Sequence, residues 1–157
     1  MFRRLTDDLV CERLGRRPLD VGADRIARTA HWALRFLEEL RATLAVPIGL
    51  AWSPAWETTV GAIEVYPAAT RISLAAPAGR GSLAGLQHRI HFSEAAPPES
   101  EHARDAVVCA LAALEFLDGR AIPPTPQQET DARREGWIWV GSAPGNKMQP
   151  GSQEEAC

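Results

Sequence analysis

Two carboxylates stand where a carboxylate is costly. Glu64 lies inside TVGAIEVYP (59–67), a short and nearly continuous apolar run, β-branched and aromatic in character, that Pro67 ends. Such a run reads as a strand buried on both faces. An acid inside it must be paired, protonated or bound to a metal. Asp105 falls in the first turn or two of a helix that continues as AVVCALAAL (106–114) without a polar side chain. Taken singly, each acid has an ordinary explanation. Glu64 emerges at the strand end and pairs with an arginine, and Asp105 complements the partial positive charge of a helix N-terminus. Taken together, a strand acid and an acid at the start of a helix packed on the sheet converge on one point. Converging carboxylates repel and so share protons or divalent cations. Two Mg²⁺ ions held roughly 4 Å apart by such a cluster cleave phosphodiesters, activating the water and stabilising the leaving oxygen.

Other side chains offer less. His88 and His91 stand three apart on a candidate helix (81–92) and could ligate a metal, but a solvated helix face explains them without further ligands. His31 faces outward beside an apolar stripe. Cys109, one turn after Asp105 in an apolar helix, reads as a packed, inert thiol. Trp137 and Trp139 alternate on a final strand and so point to one face, either to stack on bases or, the more common role, to pack on the last helix or the sheet edge. Arg3, Arg4, Arg16 and Arg17 flank a short helix and either touch phosphate or are simply exposed.

The elements that must position these residues follow from periodicity. Residues 3–14 are helical in spacing and Gly15 stops them. A helix this early has nothing before it to pack on. From Asp24, an N-cap candidate, a long amphipathic helix runs to about Thr43, with the stripe Ile26, Ala30, Ala33, Leu34, Leu37, Leu40 and Leu44, and should cover one face of a sheet. VPIGLAW (46–52), broken by Pro47 and Gly49, is an irregular or edge strand. The Glu64 strand comes next, then a short helix with Pro67 in its first turn. Residues 99–117 form a helix apolar all round and therefore buried all round. A polar, Pro-rich loop covers 121–130, and WIWV (137–140) is the last strand. Residues 141–157 have the composition of a disordered tail. The order predicts one α/β domain over 1–140, with two or three strands covered by helices. That is few strands for the helices present.

With 157 residues and a formal net charge of −3, the chain is sized for one domain and carries no global basic field. Residues 1–50 hold nine Arg against seven acids, and residues 51–157 hold eight basic against thirteen acidic residues. Three scattered cysteines, no CxxC spacing, no apolar run of membrane-span length and no apolar signal core predict a cytoplasmic protein without a membrane partner.

The segments RRLTDDLV, PLDVGADRIARTAHWAL, EVYPAAT, EHARDAVVCALAAL and EGWIWV, in this order, resemble the bacterial and archaeal domain-of-unknown-function family 429. The resemblance spans most of residues 3–140. It implies a nuclease of the ribonuclease H-like fold, with Mg²⁺ or Mn²⁺ held by carboxylates, nucleic acid as the partner, and Glu64 and Asp105 as catalytic metal ligands. It places Arg4 and Asp7 of an Arg-x-Thr-Asp pattern near substrate, although Asp7 also reads as a solvated helix-face residue. It makes His102, one turn before Asp105, either a proton shuttle or an exposed residue. Family members begin with a Gly-x-Asp strand, a hairpin and an Asp-x-Pro segment, which this sequence lacks. The resemblance therefore implies a partial domain without its first strands, short of one metal ligand. The alternative is a non-catalytic half-domain whose exposed sheet edge pairs with a second copy or another chain.

Overall fold

Apolar segments separated by more than 130 residues in sequence close the fold, because the late WIWV stretch is the element that most of the others bury against. A computed structural model describes residues 4–16, 18, 24–55, 60–74, 83, 85–86, 88–91 and 98–142. Its elements are α1 (Leu5–Leu14), α2 (Asp24–Leu44), β1 (Ile48–Leu50), β2 (Val60–Ala62), α3 (Pro67–Ser73), α4 (Glu101–Leu117) and α5 (Glu129–Glu135). The class is mixed α/β, as the order of elements predicts.

β1 and β2 pair in parallel, Ile48 opposite Val60 and Leu50 opposite Ala62. Beyond β2 the chain makes single bridges: Glu64 parallel to Ile138, and Ala121 antiparallel to Gly141. Trp137, Ile138, Trp139 and Val140 are all buried, and they alternate as a strand must. The two tryptophans pack with Ala51, Phe116, Ala121 and Ala132. Ile138 and Val140 pack with Val10 and Ala69 on the other side. The Trp137 indole N–H donates to the Ile122 carbonyl (3.0 Å), which satisfies its polar end.

Several expectations need correction. Residues 59–67 are not a strand buried on both faces: regular pairing covers only Val60–Ala62, and residues 60 to 68 are half-buried or exposed. α4 is not buried all round. Val108, Leu111, Ala112, Glu115 and Phe116 face inward, while Leu114 and Leu117 are exposed, because a helix with this much alanine can leave one side in water at little cost. α1 packs on elements that follow it in sequence, namely α3, α5 and the 137–140 segment, which the reading of its neighbours alone leaves unseen. α5 is a helix where a loop runs into a strand by sequence; seven residues with one apolar side chain give no periodic signal. Residues 85 and 88–89 are turns rather than helix, and Gly141 is buried in its bridge with Ala121 instead of opening a tail. Residues 83, 86, 90 and 91 are not helical either, Ser142 donates its amide to the Arg120 carbonyl, and the remainder of 81–92 and of the tail lies outside the described residues.

The largest departure is α2. Its apolar stripe covers no sheet: Leu34 and Leu44 are 66 and 49% exposed, Ala30, Leu37 and Leu40 are only half-buried, and Trp32 and Phe36 beside the stripe are 64 and 59% exposed. The polar side pairs within itself, Arg41 with Glu38 (3.6 Å) and Arg35 with Glu39 (3.9 Å). At its C-terminal end the Arg41 guanidinium donates through Nε (2.9 Å) and Nη2 (2.6 Å) to the Ile48 carbonyl. The physical reason is width. A regular sheet two strands across, among the described residues, is too narrow a floor for a 21-residue helix.

Candidate functional site

The start of α1 is pinned to the far end of the sequence. The Leu5 amide donates to Glu135 Oε2 (3.1 Å), and Thr6 Oγ1 accepts from the Ile138 amide (2.9 Å). Thr6 and Asp7 are both buried, so Asp7 is not a solvated helix-face residue. Its Oδ2 accepts from the Arg4 backbone N–H (3.1 Å), which satisfies an otherwise orphaned donor at the helix start. Its Oδ1 takes Arg4 Nη2 (3.2 Å).

Arg4 Nη1 then reaches both oxygens of Glu64, at 2.8 and 3.0 Å. Burial disfavours the Arg4 charge, but the hydrogen bonds and charges of Glu64 and then Asp7 outweigh it and raise the arginine's pKa above its ordinary value. Glu64 is held from behind as well, its carbonyl accepting from the Trp139 amide (3.0 Å). Its carboxylate is 40% exposed, so it is ion-paired at the rim of the fold instead of buried in a strand. Gly136 completes the arrangement. At φ 91° it occupies a region other residues avoid, and a Cβ there would lie 2.8 Å from Glu64 Oε2.

Three of the four residues expected at the site, Arg4, Asp7 and Glu64, therefore form one cluster. Asp105 belongs to another. Its Oδ1 takes Arg71 Nη1 of α3 at 2.6 Å. Cys109 stands close enough for its thiol to be pushed up in pKa by burial and then by the Asp105 charge, with Arg71 opposing. Each acid thus has its own arginine. Among the described residues no group of three or more His, Cys, Asp or Glu could hold a metal ion.

His31, His88, His91 and His102 are exposed. Trp137 and Trp139 are packed in the core and offer no face to a base. Sequence reasoning passed over Arg71, Thr6, Gly136 and Glu115. Glu115 carries the one charge in the apolar half of α4. It is buried, and it meets Arg120 through Nη2 (3.0 Å) and Nε (3.2 Å) and also pairs with Arg89. That lone charge in ALAALEFL was the available signal; Arg71 gave none beyond being the basic residue of a short helix. No described helix is long and apolar enough to cross a membrane. No protein family, curated protein or solved structure matches the chain.

Proposed function

We propose that the chain carries part of a metal-dependent phosphodiesterase site of the ribonuclease H-like kind, acting on nucleic acid, with Glu64 and Asp105 as ligands to Mg²⁺ or Mn²⁺ and Arg4 and Asp7 beside the substrate. One observation supports this reading most. Residues from three short segments far apart in sequence, RRLTD, EVYP and EGWIWV, meet at one rim: Arg4 on Glu64, Thr6 on Ile138, Gly136 against the Glu64 carboxylate. The described residues do not by themselves fit a divalent ion, since both acids are engaged by guanidinium groups and no third ligand joins them. A further acid must come from a strand that completes the sheet. What this chain supplies is Glu64, oriented beside Gly136 and Trp139 and paired with Arg4 until a stronger cation competes.

The test supplies the strand. Fused at its N-terminus to a Gly-x-Asp strand and hairpin of the resembled family, the protein should cleave a phosphodiester substrate in Mn²⁺. Glu64→Gln should lower that rate by at least about 100-fold. No cleavage by the fusion, together with Mn²⁺ binding unaltered by Glu64→Gln, would sink the reading.

A second reading, a non-catalytic module that pairs with a second copy, is favoured by the open side of the molecule. Ala51 donates to Ala62, so residues 49 and 51 turn their backbone to β2, while residues 48 and 50 turn theirs the other way, where Arg41 takes the Ile48 carbonyl and Leu50 is exposed. The exposed Leu50 and the apolar arc of α2 lie on elements that follow each other along the chain. This reading expects a dimer at micromolar concentration in sedimentation velocity, lost in Leu34→Glu/Phe36→Glu without loss of helicity. A monomer in the wild type counts against it.

A further inference from the structure

Among the described residues, Arg71 alone has both Nε and Nη2 buried without a hydrogen-bond partner. The side-on edge of a guanidinium, Nε with the adjacent Nη2, presents two parallel N–H groups spaced for two oxygens. Four other arginines use that edge. Arg41 closes it on the Ile48 carbonyl, Arg104 on the carbonyls of Pro98 and Glu99, Arg133 on Glu129, and Arg120 on both oxygens of Glu115. In Arg71 only Nη1 is engaged, by Asp105, and Nε and Nη2 are buried with no partner. Arg4 also has a buried unpartnered Nε, but a single N–H, since both of its Nη atoms are taken.

Leaving a buried donor unpaired is costly, and more so on a charged group. The fold accepts that cost twice on one side chain. It does so while holding the guanidinium in place: the Arg71 side chain is 11% exposed, α3 packs on α4, and Asp105 fixes the far end. A flexible arginine would swing to water. This one is oriented, with its two-pronged edge buried and unpaired.

We propose that Arg71 is an oxyanion-binding residue, its Nε/Nη2 edge taking two oxygens of a phosphate or carboxylate group of a ligand, with Asp105 as the positioning group on Nη1. The Asp105 carboxylate is 35% exposed, whereas Arg71 Nε and Nη2 are closed to solvent, so an anion reaches them only when the side chains over that edge part. Because Asp105 repels that anion, the site is weak in the free protein and tightens when the carboxylate is neutralised. Glu115, gripped by the same edge of Arg120, shows the geometry within this protein. The inference rests on α3 and α4 alone and holds whether or not Asp105 takes a metal.

The test is run metal-free, so that its outcome is separate from that of the nuclease reading. Inorganic phosphate and, in a second arm, acetate are titrated into the protein by calorimetry at constant ionic strength. Saturable binding of either supports the site, and the tighter of the two identifies the group it accepts. Arg71→Lys, which keeps the charge and loses the edge, should weaken binding at least about tenfold. Asp105→Asn should move it the other way, tightening it about tenfold. The opposed signs guard against a variant that merely loosens the fold. No saturable binding of either anion, or binding equal in the wild type and Arg71→Lys, overturns the proposal.

Discussion

Trp139→Ala is expected to lower the unfolding free energy by about 4 kcal/mol, a large share of the stability of a single domain. The indole is buried in the cluster that joins α4, the Ala51 turn and α5. It meets the Phe116 ring edge to face, centroids 4.7 Å apart and planes at 70°. The truncation loses the transfer free energy of the ring, opens a cavity, and removes an aromatic contact worth about 1 kcal/mol on its own. The neighbours cannot collapse into the gap easily, because Trp137 on the same face is fixed by its bond to Ile122. Equilibrium denaturation should show a lower midpoint with little change in slope. Site geometry should suffer with stability, since the Trp139 amide holds the carbonyl of Glu64.

Glu115→Gln should cost about 2–3 kcal/mol at neutral pH, and the deficit should shrink in acid. Burial opposes the Glu115 charge, but hydrogen bonds from Arg120 and Arg89, backed by their charges, outweigh it and hold its pKa below the ordinary 4.5. The side chain is 5% exposed, whereas Arg120 is 47% exposed and recovers water when released. That partial recovery keeps the cost below the upper range for a broken buried pair. The sign follows from the depressed value. The stabilisation is complete above the unfolded-state pKa and is lost as pH falls through the folded one. Thermal melts from pH 7 downward should therefore show the wild type losing stability below pH 4.5 more steeply than the glutamine variant. Parallel curves would mean that another carboxylate governs acid unfolding.

Much of the fold is legible in the sequence, for reasons that can be stated by residue. α2 and α4 have repeats long enough to average over local noise, and Pro67 and Gly15 mark a start and a stop with their own stereochemistry. The alternation of Trp137 and Trp139 against Ile138 and Val140 sorted the two faces of the last strand correctly. Burial was less legible, because periodicity gives the apolar face and not what covers it. That is why α2 was expected to lie on a sheet and Glu64 to be enclosed. At the site, the acids were visible by type, but their partners were not. Arg4 meets Glu64 across 60 residues and Arg71 meets Asp105 across 34, separations at which no local pattern exists.

The bond from the Ile138 amide to Thr6 spans 132 residues, and that from Leu5 to Glu135 spans 130. At a synthesis rate of about 5–20 residues per second, the ribosome needs about 7–26 s to deliver the partner of a helix it made 132 residues earlier. During that interval α1 lacks α5 and the 137–140 segment, and the acceptor on Thr6 waits for an amide not yet translated. The chain thus folds against the order in which it is made. Chaperone demand in the cell should therefore track how quickly the ribosome reaches codon 140.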